Sequence, residues 1–240
     1  MGTSAGTLFV GTSGFSYKEW KPEFYPADLK NAEMLRYYAE RLPSVEINNT
    51  FYRAPTEKVL RQWLEQTAED FSITLKAPQR ITHFQRLRDV DENLAFFLTT
   101  ARALGGRLGC ILFQLPPTLP FDEQLLTSFL AALPGEPFRF ALETRHASWD
   151  SDQVRELLAA NHVSWCVADT EGSPAPMRRT ARDFVYLRLR KVDYGHDEIA
   201  AWAKEARAAM DDSSDVYCYF KHEDDPSGVR FALRMRELVG

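Results

Sequence analysis

The sequence has no run of about 18 apolar residues, which is the length that a membrane-spanning helix requires. Its first residues, MGTSAGTLFVG, lack a basic segment followed by a long apolar one, so we expect no signal peptide and a cytoplasmic protein without membrane partners. Cysteine is scarce: Cys110, Cys166 and Cys218 are far apart, and each lies inside an apolar run. This spacing predicts buried thiols instead of a disulfide, redox or zinc site.

Neither charge nor composition indicates a specialised class of protein. The 240 residues are 45% hydrophobic and 26% charged, which is typical of a globular protein with one large core. The formal net charge of -5 argues against a generic binder of polyanions, although a local basic patch would still attract an anion. Because no linker or low-complexity segment occurs, we expect one domain over residues 1–240.

Short strand-like segments alternate with helical patterns along the chain. The predicted strands are residues 7–13, 44–48, 71–76, 108–115, 138–143, 164–169, 184–190 and 215–220. Eight strands separated by helices predict an α/β fold, a single (β/α)8 TIM-type barrel. The link between strands six and seven, residues 170–183, is irregular because Gly172, Pro174 and Pro176 favour a loop. An open doubly wound sheet is the alternative, but no glycine-rich phosphate-binding motif follows the first strand.

Alternation within the strands predicts which side chains face the barrel interior. The apolar residues mark the face that packs on the helices, so the polar residues between them are expected to point inward. Polar residues near the C-terminal ends of the strands are Glu46, Asn48, Lys76, Gln114, Glu143, Arg145, Asp169 and Arg188. TIM-barrel enzymes build their active sites at this end. The competing interpretation is that these acids and cations only pair with one another to fill the interior.

The first three βα loops add aromatic and basic side chains to the predicted mouth. The aromatic residues include Trp20, Phe24, Tyr25 and Tyr52, and the basic third loop holds Arg80, His83, Arg86 and Arg88. Aromatic faces stack on rings and arginines bind phosphate or carboxylate, so the loops favour an anionic, ring-containing ligand. Loop aromatics also pack among themselves, and we expect this of Phe24 and Tyr25.

Six segments together resemble the YecE-like family, which is also called domain of unknown function 72. They are GTSGFSYKEW, FYP, VEINNTFYR, KAPQRITH, QLPP and ALETRHASW, and they span nearly the whole chain. The resemblance implies a TIM-type barrel but no reaction, because the family has none firmly established. The residues at the family's recurrent positions are Gly11, Ser13, Glu46, Asn48, Lys76, His83, Gln114, Glu143, Arg145, His146, Trp149 and Asp169.

The chain departs from the family pattern at three places. Phe15 stands where a tryptophan is usual. After strand seven, Arg190 and Lys191 replace a His-Gly pair. After strand eight, Lys221 and His222 replace paired asparagines. These departures make the mouth more basic and leave the roles of the last two loops open.

The leading hypothesis is an enzyme that acts by acid–base chemistry on a phosphate-bearing ligand, namely a nucleotide, a sugar phosphate or a nucleic-acid end. The catalytic candidates are Glu143 and His146 for proton transfer, Lys76 for charge neutralisation, and Glu46 and Asp169 to orient the cations or hold a metal. The candidates for ligand contacts are Ser13, Trp20, Asn48, Tyr52, Arg80, His83, Gln114, Arg145 and Arg188. Both a hydrolase and an isomerase fit this set.

Two alternatives stay open. One is a non-catalytic module that binds nucleotides or nucleic acid at the aromatic and basic rim. The other is a metal-assisted phosphodiesterase or sugar isomerase, with a divalent metal held by Glu46, Glu143, His146 and Asp169. No HExxH motif, Cys/His zinc spacing or DxDxDG loop supports the metal.

Overall fold

Parallel strands alternate with helices in the computed structural model, which describes residues 5–171, 177–221 and 223–240. The strands are β1 (Leu8–Ser13), β2 (Ser44–Ile47), β3 (Ser72–Lys76), β4 (Leu108–Gln114), β5 (Phe140–Glu143), β6 (Ser164–Trp165), β7 (Val167–Asp169), β8 (Phe184–Leu189) and β9 (Asp215–Phe220). They form one sheet in the order β6-β5-β4-β3-β2-β1-β9-β8-β7.

The sixth predicted strand is divided into β6 and β7 by a single residue, Cys166. Strand β6 pairs with β5, and β7 pairs with β8, so the two ends of the sheet are joined through Cys166 and the sheet curves into a barrel. The predicted TIM-type barrel is therefore confirmed, and the open doubly wound sheet is wrong. In the predicted irregular link, residues 177–183 form neither helix nor strand, while Gly172, Pro174 and Pro176 lie outside the described residues.

The helices surround the sheet. They are α1 (Met34–Ala39), α2 (Glu57–Gln66), α3 (Asp91–Ala101), α4 (Glu123–Ala132), α5 (Asp152–Ala160), α6 (His196–Asp211) and α7 (Ser227–Val239). Thr56 begins α2 by accepting a hydrogen bond from the Val59 N–H, and Asp122 begins α4 by accepting one from the Leu125 N–H, as expected of N-cap residues. None of the helices in the described residues combines the length and hydropathy that a bilayer crossing needs.

The barrel has an outer and an inner core. The outward residues of the strands, such as Val45, Ile73 and Leu187, pack against the helices in one large cluster. The inner cluster consists of Cys110, Leu112, Ala141, Cys166, Ala181, Phe184, Tyr186, Tyr217 and Tyr219. The alternation of the strands predicts both faces correctly here. All three cysteines are buried and free, which confirms the prediction of core thiols.

The N-terminal end of the barrel is closed by an ion-paired arginine. Arg139 lies 2.6 Å from a carboxylate oxygen of Asp215 and 2.7 Å from one of Asp183, and it donates a hydrogen bond to the Tyr217 hydroxyl at 3.1 Å. At this end, opposite the predicted mouth, the polar residues pair with one another.

Candidate functional site

A buried network of two carboxylates and one guanidinium crosses the barrel near the C-terminal ends of β2, β5 and β8. Arg188 lies 2.6 Å from Glu46 and 2.5 Å from Glu143, using one terminal nitrogen for each. None of the three side chains is more than 1% exposed. Inward alternation on three strands brings these residues together, although they are far apart in the sequence.

Each of the four carboxylate oxygens in this network has a partner. Besides the bonds to Arg188, the Tyr186 hydroxyl donates to Glu46 at 2.6 Å, and Arg145 Nε donates to Glu143 at 2.8 Å. Burial raises the pKa of both carboxyls, but Arg188 and the hydrogen bonds outweigh it, so the pKa of Glu46 is lowered and that of Glu143 falls to about 2. Both are ionised at neutral pH, and this environment opposes the predicted role of Glu143 in proton transfer.

Lys76 has a different environment at the end of β3. Its ammonium nitrogen lies 4.0 Å from the centre of the Phe51 ring and forms no hydrogen bond or ion pair with a described residue. Burial, and then the charge of Arg188, lowers the pKa of Lys76 from 10.5 to about 8, against the opposing effect of Glu46 and Glu143. Lys76 is therefore a half-buried amine that titrates close to neutral pH.

Arg190, directly after β8, is a second mouth cation that has no counter-ion among the residues the structure describes. Its side chain is half-buried, and its guanidinium makes no hydrogen bond or ion pair within the described part of the chain. Burial and the neighbouring charge of Arg188 lower the pKa of Arg190. This unpartnered guanidinium is available for an anion.

These cations line a cavity of about 300 Å³, which we call the mouth cavity. Its lining residues are Tyr17, Asn48, Asn49, Phe51, Tyr52, Lys76, Arg188, Arg190, Lys221 and Glu223. Four of them are cations and one is an acid. With Arg145, Glu46 and Glu143 of the adjoining network included, this set of described residues has five cations and three carboxylates, a net charge of +2.

The structure brings several other predicted site residues to this end of the barrel. Ser13 pairs in register with Glu46, and Gln114 with Glu143, and both side chains are buried. The His83 ring is half-buried, 4.9 Å from the ring of Phe51, and its Nδ1 lies 2.8 Å from the Thr82 hydroxyl. Burial, followed by the charge of Lys76, lowers the pKa of His83, which therefore stays neutral near pH 7.

Asn48 and Tyr52 both line the mouth cavity, but they differ in exposure. The side chain of Asn48 is half-buried, whereas Tyr52 is 73% exposed at the rim. Their predicted place at the mouth is consistent with ligand contact, and that role stays a prediction.

Trp20 and Asp169 require correction. Trp20 is completely buried among Tyr17, Phe24 and Tyr25, so it forms part of an aromatic loop core and has no surface for a ligand. Asp169 faces outward, because it lies on the same side of β7 as Val167, which packs in the outer core. Its carboxylate accepts a hydrogen bond from Trp202 Nε1 in α6 at 3.3 Å. The predicted packing of the aromatic loop residues Phe24 and Tyr25 is confirmed.

Two basic candidates lie outside the cluster. His146 is exposed and its Nδ1 accepts a hydrogen bond from the Ser148 N–H at 3.2 Å, so it holds the turn after β5 and does not reach the mouth cavity. Arg80 is exposed on a single turn of π-helix, Arg80–Phe84. Of its neighbours, Arg86 donates two hydrogen bonds to Thr118. The third loop thus offers fewer free cations than its sequence suggests.

The arrangement also removes the basis for the predicted metal centre. Among residues 5–171, 177–221 and 223–240, no group of three or more histidine, cysteine, aspartate or glutamate side chains is placed to hold an ion. Glu46 and Glu143 are bound to Arg188, while His146 and Asp169 point elsewhere. The four predicted ligands do not converge.

Phe51 and Arg190 are absent from the set of residues predicted from the sequence. The alternation of YLRLR places Arg190 on the inward side with Arg188, so that signal is present in the sequence. No local pattern distinguishes Phe51 from Tyr52, because their orientations depend on the short 3-10 turn Asn49–Phe51. The Phe51 ring contacts the Lys76 ammonium group, whereas the Tyr52 ring lies at the rim of the mouth cavity.

Comparison with known proteins identifies relatives that match from about half to nearly all of the chain. A family model described as "Protein of unknown function DUF72" matches residues 9–240. The UPF0759 protein YecE of Escherichia coli (strain K12) is 34% identical over 140 residues, which are 58% of this chain and 48% of YecE, so the matched part spans about half of that relative. The UPF0759 protein YunF of Bacillus subtilis (strain 168) is 23% identical over an alignment of 270 positions, which covers 97% of this chain and 94% of YunF.

A solved structure shares the fold over the same extent. The crystal structure of a DUF72 family protein from Thermotoga maritima MSB8 has a TM-score of 0.79 and 26% sequence identity. The match covers 97% of this chain and 99% of that protein. The names of these relatives state no activity.

Proposed function

Because this chain belongs to the DUF72 family, whose description names no reaction, we propose a function from its mouth cavity: the protein binds a small ligand through a phosphate group and transfers a proton to or from it with Lys76. This keeps the phosphate-bearing ligand of the leading hypothesis. It moves the proton-transfer role from Glu143 and His146 to the amine that titrates near neutral pH.

The observation that carries the proposal is a pair of half-buried cations, Lys76 and Arg190, for which the described part of the chain provides no counter-ion. Taking a cation out of water is unfavourable unless an anion compensates for it. Glu46 and Glu143 do not form ion pairs with either cation because Arg188 binds both carboxylates. A phosphate group would compensate for both cations at once, and a guanidinium matches its geometry.

Lys76 has the protonation behaviour that a proton-transfer group needs. With a pKa of about 8, roughly nine in ten molecules carry the proton at pH 7, and the amine form is readily reached. The Glu46–Arg188–Glu143 network provides a rigid charged floor whose groups need no rearrangement when the ligand changes charge. The mouth would therefore hold the anion in place while Lys76 exchanges a proton with it.

The binding test is a calorimetric titration of inorganic phosphate into the wild-type protein and the Arg190→Gln variant. We expect the variant to bind phosphate at least about tenfold more weakly, because a charge-assisted pair contributes about 1.5–3 kcal/mol. Arg155→Gln is the matched control, since Arg155 is exposed and pairs only with the nearby Asp152 within the described part of the chain. Phosphate binding that is absent, or equal in wild type and Arg190→Gln, would contradict the proposal.

The catalytic test uses a panel of phosphomonoesters, phosphodiesters and sugar phosphates. With any compound that is turned over, we expect kcat/KM to follow a group of the ligand-free protein with a pKa near 8, and Lys76→Met to lose that dependence. A ligand that binds at the mouth but is never altered would refute the catalytic half of the proposal and favour the binding module.

A nucleic-acid end remains one of the proposed phosphate ligands. The rim, however, offers little continuous basic surface, because Arg86 is bonded to Thr118 and Arg88 lies 3.5 Å from Asp122. This distribution favours a ligand with one buried phosphate over a long strand held by many phosphate contacts.

A further inference from the structure

We propose that the phosphate-bearing ligand also carries a flat apolar group, which binds in a second cavity beside the mouth cavity. This inference rests on the proposed function. The second cavity has a volume of about 480 Å³ and lies between the first βα loop, the second βα loop and α2. We call it the apolar cavity.

The walls of the apolar cavity are mostly hydrocarbon. Its apolar lining residues include Phe15, Ile47, Ala54, Pro55, Val59 and Trp63. Phe15 and Trp63 are only partly buried against the core, so their rings have surface left for a ligand. A flat ring placed here would leave water and contact other rings at their faces or edges.

The two cavities are adjacent and share lining residues. Tyr17, Asn48 and Asn49 belong to the walls of both. The charged part of a ligand on Lys76 and Arg190 would therefore have its uncharged part directed past these three residues. Sites for small molecules usually combine a few polar anchors with a larger apolar surface.

Size supports the same assignment. The mouth cavity alone, at about 300 Å³, is at the lower end of the usual range for ligand sites, whereas the apolar cavity adds about 480 Å³ beside it. The chemical class that fits is a small molecule with a phosphate group at one end and an aromatic or similarly flat apolar ring at the other.

The test compares methylphosphonate with phenyl-, benzyl- and 2-phenylethylphosphonate by calorimetry. All four have the same anionic group, while the last three differ in the distance between the ring and that group. We expect at least one of them to bind about 10- to 100-fold more tightly than methylphosphonate, which is the gain from burying one ring.

Two variants locate the ring. Val59→Phe fills part of the apolar cavity and should abolish this gain while leaving methylphosphonate affinity unchanged. Lys58→Phe is the control, because Lys58 is exposed on the same helix and lines neither cavity. Since Val59→Phe could disturb α2, fluorescence gives an independent measurement: 4-nitrobenzylphosphonate should quench tryptophan emission in the wild type, and Trp63→Phe should remove most of that quenching.

The outcomes separate this inference from the proposed function. If methylphosphonate binds but no ring improves its affinity, or if the gain from the ring survives in Val59→Phe, the apolar subsite is refuted and phosphate binding stands. If no phosphonate binds at all, both proposals fail. If Arg53→Gln weakens methylphosphonate binding and Arg190→Gln does not, the anion lies in the apolar cavity, which also overturns the inference.

Discussion

Replacement of Arg188 by methionine is the most direct test of how the barrel mouth is built. The substitution removes the guanidinium that binds Glu46 at 2.6 Å and Glu143 at 2.5 Å. Both carboxylates are at most 1% exposed, so water cannot replace the lost partner. Removing one partner of a buried ion pair costs about 3–5 kcal/mol. Both carboxylates lose Arg188 here, but Glu143 keeps Arg145 and Glu46 keeps the Tyr186 hydroxyl, so we expect a loss within that range at pH 7.

The lowered pKa of Glu143 predicts a pH dependence of similar magnitude for the wild type. The folded pKa of Glu143 is about 2 and its ordinary value is 4.5, so its stabilisation is complete above about pH 4.5 and is lost as the pH falls toward 2. At about 1.4 kcal/mol per pH unit, this difference corresponds to about 3 kcal/mol. The lowered pKa of Glu46 acts in the same direction.

The Arg188→Met variant should show the opposite slope. Without the guanidinium, Glu46 keeps only the neutral Tyr186 hydroxyl, so burial raises its pKa above the unfolded value, whereas Glu143 keeps its ion pair with Arg145. Stability should therefore decrease as the pH rises above about 4.5, through the ionisation of Glu46. Urea denaturation followed by circular dichroism from about pH 3 to pH 8 measures both the loss and the slope. The triple variant with Glu46→Gln and Glu143→Gln should regain part of the loss at pH 7, because it buries no charge.

A small effect would refute this reasoning. If Arg188→Met lost less than about 1 kcal/mol at pH 7 and kept the wild-type slope, the network would not be buried and charged as the geometry indicates. Arg155→Met provides the comparison, since its pair with Asp152 is exposed and should contribute little.

Three further predictions concern single residues. Acetylation of Lys76, followed by mass spectrometry across a pH series, should have its midpoint near pH 8, because only the unprotonated amine reacts; a midpoint above about 10 would show an unperturbed amine. Gly11→Ala should lower the free energy of unfolding, measured in urea, by at least about 1–3 kcal/mol, because its Cβ would lie 1.9 Å from a carbonyl oxygen of β2. Gly106→Ala is the control, since a Cβ there would meet no atom within 4 Å. Trp20→Ala should lower the free energy of unfolding by about 3–5 kcal/mol and Tyr52→Ala very little. Equal losses would contradict the exposed fractions of these side chains, which are 0% for Trp20 and 73% for Tyr52.

Much of the fold is predictable because its signals are local. The alternation of strands and helices, the N-caps at Thr56 and Asp122, and the inward positions of Glu46 and Glu143 each follow from residues within a few positions of one another. The outward position of Asp169 also follows from strand alternation, because Asp169 lies two residues after the outward Val167. The prediction that Asp169 lies at the mouth depends on its place at the strand end and not on the alternation.

Loop residues are harder to predict because their environment depends on distant segments. Trp20 looks like a ligand-binding aromatic in the sequence, but Tyr17, Phe24 and Tyr25 enclose it completely. His146 resembles a catalytic group beside Glu143, yet it bonds to Ser148 on the exposed side of the turn. Composition does not distinguish a packed loop from an open one.

By itself, the sequence determined the barrel architecture and the face of most strand residues, because both depend on periodic patterns along short stretches of chain. Only the tertiary structure decided which charges compensate each other. Arg188 binds Glu143, 45 residues away, and Glu46, 142 residues away. Among the described residues, these long-range contacts leave Lys76 and Arg190 without a carboxylate partner. The free charge at the mouth is thus a property of three-dimensional pairing, since no local pattern specifies which distant acid meets which base.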